Sequence, residues 1–272
     1  MIKQQYKIGL ILMITLFEVI VFLGCKKNDV SVPLKQTDSI FDIDGNVYKT
    51  VKIGDQWWMA ENLHVTRYRN GLSILKISDN NAALWDSNIV KGAYCLFEYG
   101  GAGSTMGDST GKNIPMGFLY NWFAVNDTSN IAPKGWHVAT EQDWQTLESY
   151  LGIPQNETTA MGWRGRNEAN KLRYKSYGWN PSDNLYIVYG TNESGFSAFG
   201  AGCRMFKTSI NNGLSLWGDY KSPGHDAYWW TATQNPDSTK CAWYRNLNYN
   251  SPKIFRYYAQ KSYGFSVRCV KD

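Results

Sequence analysis

The chain has 272 residues, with 28 Lys or Arg against 23 Asp or Glu and a net charge of +5. So mild a charge, with no basic stripe, excludes a nucleic-acid partner from the leading readings. Charged residues make up only 19% of the chain and aromatic residues 15%, with 12 Trp and 25 Gly, which suits a loop-rich β fold cored by rings and turned by glycines.

The first predicted element is a signal. Lys3 and Lys7 give a basic start, an apolar run extends from Ile8 to Leu23, and Phe22-Leu23-Gly24-Cys25 closes it. A lipoprotein peptidase needs this order: an apolar run to hold the chain in the bilayer, a small residue at the cut, and a thiol to take the lipid. The run is shorter than the about 20 apolar residues of a membrane span, Glu18 interrupts it, and no A-x-A-like secretory site precedes Cys25. The expectation is a signal peptide over 1–24 with lipidation at Cys25, where more than one acyl chain gives stable anchoring. Lys26, not Asp, follows the cysteine, which in Gram-negative lipoproteins favours the outer membrane. Residues 25–38 read as the lipidated cysteine and a polar tether. Residues 39–272 then fit one large domain or two small ones.

Ser39–Ile43, the Asp44-Gly45-Asn46 turn and Val47–Ile53 predict a β-hairpin, since alternation flanks an Asp-Gly turn. Gly54-Asp55 turns the chain again into Gln56–Met59. Asp42-Ile43-Asp44-Gly45 does not make a calcium loop: the glycine is misplaced and no glutamate closes it. Residues 64–116 are irregular. Gly100–Gly107 lacks the spacing and the Gly-Lys-Ser/Thr of a phosphate loop and reads as a mobile surface loop.

A helix starts at Thr140, which forms a capping box with Asp143. Trp144, Leu147 and Leu151 share one face, and Gly152 and Pro154 stop it. A second helix is expected over Asn167–Lys175, with Ala169 and Leu172 inward. Short strands follow at 195–199, 227–232, 242–247 and 263–269. Trp57-Trp58 and Trp229-Trp230 lie in strands, so one ring of each pair should face inward and the other outward. The class is α+β.

Cys95, Cys203, Cys241 and Cys269 remain after Cys25, and an even number in an exported chain suggests disulfides with three possible connectivities. No C-x-x-C spacing occurs, which disfavours thiol exchange and zinc.

Seven motifs occur in order: Asp42–Tyr48, Trp58–Leu63, Leu119–Trp122, Pro133–Val138, Asp143-Trp144, Glu193–Ala198 and Gly264–Cys269. With them the chain resembles the Fibrobacter succinogenes major paralogous domain family, common among exported lipoproteins of Bacteroidota and Fibrobacterota, over nearly the whole mature length. The resemblance implies a C-type-lectin-like fold, with an N-terminal β-hairpin, one or two helices and short antiparallel strands, related to the formylglycine-generating-enzyme group. Ala132 stands where members often carry cysteine, and Cys203 where they often carry tyrosine. The resemblance therefore leaves a re-paired set, Cys203 with Cys241 and Cys95 with Cys269, as the expectation.

Chemistry is sparsely signalled. The formylglycine-generating relatives bind copper through two closely spaced cysteines, and this chain has no such pair. No Gly-x-Ser-x-Gly and no His-Glu-x-x-His occurs. His64, His137 and His225 are scattered, and His137 reads as a satisfied core histidine. Asp183 and Glu193 form a possible carboxylate pair whose separation, which decides glycoside hydrolysis, the sequence does not fix. The expectation is no catalysis, no cofactor and no metal, and a binding role instead. Sugar sites stack a ring on the apolar sugar face and add amide or carboxylate partners. Trp179, Asn180, Asp183, Trp217 and Asp219 supply that set, in the stretch where C-type-lectin-like folds carry ligands. The expected partners are the membrane, through the lipid, and a glycan or another envelope component. A protein–protein adhesion or assembly subunit is the alternative; it predicts a flat exposed aromatic patch instead of a concave pocket.

Overall fold

The computed structural model describes residues 35–78, 83–86, 90–96, 105–107, 113–175, 179, 190–205, 220–221 and 224–272. In chain order the first strands are β1 (Thr37–Phe41), β2 (Val47–Ile53), β3 (Gln56–Met59) and β4 (Leu75–Lys76). Helix α1 (Ala83–Asp86), β5 (Ala93–Cys95), β6 (Thr105–Gly107), β7 (Asn113–Pro115), β8 (Leu119–Tyr120) and α2 (Trp122–Val125) follow. Then come β9 (Trp136–Val138), α3 (Glu141–Leu151), β10 (Gly162–Arg164), α4 (Glu168–Leu172), β11 (Cys203–Arg204) and β12 (Tyr220–Lys221). The last strands are β13 (Asp226–Gln234), β14 (Cys241–Asn248), β15 (Ile254–Gln260) and β16 (Cys269–Lys271). Mostly antiparallel sheets with few helices make the fold α+β.

The first hairpin forms as the sequence dictates. Gly45 takes φ +84° and Gly54 φ +61°, left-handed values that glycine adopts without a Cβ clash. The Asp42 carboxylate fastens the turn by accepting from the Asp44 and Asn46 amides, the Asn46 side chain and the Tyr48 hydroxyl. β16 inserts between β3 and β9, giving the order β1-β2-β3-β16-β9. The C-terminal strand is thus locked to the N-terminal hairpin.

The second sheet runs β10-β15-β14-β13, and α3 lies on one of its faces. Thr140 and Asp143 make the full capping box, and Gly152 ends the helix at φ +118°. Trp144, Leu147 and Leu151 are buried, as their spacing requires. Two carboxylates on the same helix are buried as well. Glu148 receives both guanidinium nitrogens of Arg164, at 2.7 and 2.8 Å, and Nε of Arg245 at 2.6 Å. Glu141 receives Arg245 at 2.8 and 2.9 Å and Arg256 at 2.6 Å. Burial opposes ionisation of Glu141, but Arg245 and Arg256 win and hold its carboxyl at about 2. Arg164 also donates to Thr158 O and Arg256 to Thr159 O.

A second knot ties the sheets together. The Arg268 guanidinium, fully buried, donates to the Asn62 side chain, to the Met59 and Phe196 carbonyls and to Ser197 O. Asn62 also accepts from the Trp229 indole and donates to Met116 O. Motifs far apart in sequence, Trp58–Leu63, Glu193–Ala198 and Gly264–Cys269, meet at this one point.

Several expectations are corrected. The four cysteines are not at disulfide distance from one another, so neither Cys203–Cys241 nor Cys95–Cys269 pairs. Cys95 sits in a small cluster with Ile77, Trp85 and Leu119, whereas Cys203 and Cys269 belong to the main core; Cys241 and Cys269 are free thiols. Trp229 and Trp230 are both buried, because β13 is covered on two sides: Trp229 meets Trp144 and Phe196, and Trp230 meets Phe265. Residues 195–199 form no strand, since Gly195 and Ser197 take φ +78° and +55° and only Ala198 bridges, to Arg173. That bridge also ends the second helix at Leu172, with Arg173 extended. Residues 264–266 contribute isolated bridges, and regular pairing begins at Cys269. The stretch 64–116 is not wholly irregular, since β4, β5, β6 and β7 fall within it, and β9, β10 and β15 are further strands that the sequence reading does not include.

Candidate functional site

Of the expected ligand set, Trp179 is a core residue. Its ring is buried, its indole nitrogen donates to Ala198 O at 2.8 Å, and the Arg173 guanidinium lies 5.6 Å from its centroid. Its only donor and one ring face are thus engaged within the protein. Asn180, Asp183, Trp217 and Asp219 lie outside the described residues, as do Cys25 and most of the Gly100–Gly107 stretch.

His137 is not a core histidine. Its side chain is 35% exposed, with Nε2 at 3.0 Å from Asp143 and Nδ1 at 2.8 Å from Asp272. The hydrogen bond to Asp143 outweighs the cost of burial and, with Asp272, lifts the imidazole to about 8. Asp143 is the capping-box residue of α3, so this pair clips the C-terminus to the start of the helix. Among the described residues, no group of three or more His, Cys, Asp or Glu is placed to hold a metal.

The concave feature with mixed chemistry lies beside α2. Asn121 organises it: its side-chain oxygen accepts from the Ala124 and Ala93 amides, and its amide donates to Lys91 O. This one side chain both caps α2 and fixes the chain entering β5. Gly92 permits the close approach, since a Cβ there would fall 1.9 Å from the Tyr68 hydroxyl and 2.9 Å from Ala124 Cα. The resulting groove, about 480 Å³, is lined by Tyr68, Leu75, Lys91, Phe123, Asn126 and Asp127, among others. That volume falls within the range of about 300–1,000 Å³ typical of small-molecule sites.

Its groups have distinct states. Burial first, then the Asp127 carboxylate, pushes the Tyr68 phenol up to about 12, so it stays protonated. The Asp127 carboxylate accepts from the Ser129 amide at 2.8 Å. Trp122 forms a rigid wall, its indole donating to Thr231 O at 2.9 Å with the Lys261 ammonium 4.3 Å from its ring centroid. Lys91 and Asn126 are exposed and Phe123 is half-buried. A ring, an amide, a carboxylate and an ammonium therefore border one hollow. Leu119–Trp122 stood out in the sequence as a motif; nothing in it marked Asn126, Asp127 or Lys91.

A second, flat feature crosses the sheet opposite α3. Tyr228, Tyr244 and Phe255 follow one another across β13, β14 and β15, and Phe255 also meets Tyr257 on its own strand and Trp163 on β10, with ring centroids 5.0–6.2 Å apart. Their exposure rises outward, from half-buried Tyr228, Tyr244 and Phe255 to 37% at Tyr257 and 43% at Trp163. Burial keeps the Tyr228 and Tyr244 phenols protonated throughout the ordinary pH range.

A family model, the Fibrobacter succinogenes major domain, matches residues 51–271. No curated protein matches the chain, and no solved structure does.

Proposed function

The chain belongs to the Fibrobacter succinogenes major domain family, and from that premise we propose a lipoprotein of the outer membrane, anchored through Cys25, whose C-type-lectin-like domain over 39–272 binds a glycan without catalysis. The observation that carries the binding reading is the α2 groove. Sugars present an apolar face and a ring of hydroxyls; the Phe123 ring suits the first, and Asn126, Asp127 and Lys91 suit the second. Support for a non-catalytic role comes from the buried acids: Glu141 and Glu148 are held by arginines.

The binding reading is tested by a glycan-array screen of residues 35–272, which form one compact unit, with and without calcium. A specific hit supports it, and a blank array in both conditions contradicts it. Anchoring is tested separately. Cys25→Ala should release the protein from the membrane fraction, and continued lipid labelling of that variant would contradict lipidation at Cys25.

The aromatic row favours the second reading, a protein partner. Flat, partly exposed rings on a sheet are what an adhesion or assembly contact uses. Trp163→Ala should then abolish capture of an envelope protein while leaving glycan binding intact.

A further inference from the structure

The β1–β2 hairpin ends in an apolar tip that the proposed binding role does not use. Phe41 is 65% exposed, Ile43 44% and Val47 54%, and Phe41 and Val47 are direct cross-strand partners. Isolated exposed apolar residues are ordinary, but three together at one turn are not. The acidic residues between them are drawn inward. Asp42 is spent on the turn, as described, and Asp44 accepts from the Thr66 amide and hydroxyl and from Arg67 Nε at 2.6 Å. The loop that Asp44 clamps carries a further exposed side chain, Leu72. Lys49 and Arg67 flank the tip and are exposed.

We propose that this tip rests on a lipid surface, Phe41, Ile43 and Val47 entering the interfacial layer while Lys49 and Arg67 meet anionic headgroups. The inference rests on anchoring at Cys25. Nine residues, and so ten chain steps, separate Cys25 from Lys35, so the tether extends at most about 36 Å. A compact domain of this size is about 45 Å across. The tether is therefore too short to let the domain turn its far side to the bilayer, and the face where the chain enters must stay close to it. The tip lies four residues past Thr37, about 13 Å along the strand. Apolar side chains with basic neighbours bind such an interface in proportion to the apolar area they bury.

The experiment uses the full acylated chain on phosphatidylethanolamine–phosphatidylglycerol vesicles containing a diazirine-bearing phosphatidylcholine. After photolysis, label is mapped by peptide mass. Residues 37–52 should carry label, and the triple variant Phe41→Ser, Ile43→Ser, Val47→Ser should show a several-fold drop there with an unchanged melting temperature. Acylated wild-type protein that stays on the vesicles with no more tip label than the variant overturns the inference and leaves the anchoring reading intact. A residue-25 peptide without acyl mass overturns the anchoring reading and this inference with it. A lipid-independent dimer that the triple variant disperses also overturns it, in favour of a second copy of the chain.

Discussion

His137 bonds to Asp272, 135 positions away, as well as to Asp143, and its titration follows from that. The folded imidazole titrates at about 8 against an ordinary 6.5. A raised folded pKa gives stability that is fully present below 6.5 and is lost as pH rises through about 8. After discounting for its one-third exposure, the effect is about 1 kcal/mol. The melting temperature should therefore fall from pH 6.5 to 9, and His137→Gln should flatten that slope; an unchanged slope would mean that the two carboxylates do not hold the ring. Glu141 has the opposite sign. Its carboxyl is lowered to about 2 from 4.5, so its contribution is present above 4.5 and is lost as pH falls towards 2. Glu148 contacts two arginines, and removing one partner of a buried ion pair strands the others. Glu148→Gln should cost about 3–5 kcal/mol in urea unfolding, and a cost below about 1 kcal/mol would contradict a buried network of this kind.

Elements differ in how much of their cause is local. Helix α3 was legible because its cap, its apolar face and its stop signal all fall within fifteen residues of sequence, and Thr140→Ala should cost about 1 kcal/mol of stability as the capping box opens. The hairpin was legible for the same reason. β15 was not: its buried positions include Arg256, whose charge is met by a glutamate 115 residues away, so no apolar alternation marks the strand. β13 showed that a two-residue period fails where both faces are covered. The second helix was placed correctly and drawn too long, because the Arg173–Ala198 bridge that ends it is a long-range contact. The groove was invisible in the sequence because its walls come from three separate stretches, around Tyr68, Lys91 and Asn126; Asn121 joins the last two, and the Arg69 amide ties the first to Asn130 O. Trp179 had the right composition around it for a sugar site, but its indole was already engaged by the backbone.

For the molecule as a whole, stability comes from rings and buried guanidinium groups, not from cross-links. With no cysteine pair at bonding distance, reductant should leave the melting temperature unchanged; a drop would show a disulfide formed after export. Three of the seven motifs meet at the Asn62–Arg268 knot, while the groove is lined largely by residues outside the motifs. Family membership therefore fixes the frame, and in the proposed binding role Lys91, Asn126 and Asp127 select the ligand. The most direct test of that division is a side-by-side glycan array of wild-type residues 35–272 and the variants Lys91→Ala and Asn126→Ala. Both substitutions are at exposed positions and should leave the fold unchanged. A glycan hit that either variant weakens, at constant melting temperature, is the predicted result. A hit retained by both variants would contradict the groove as its site.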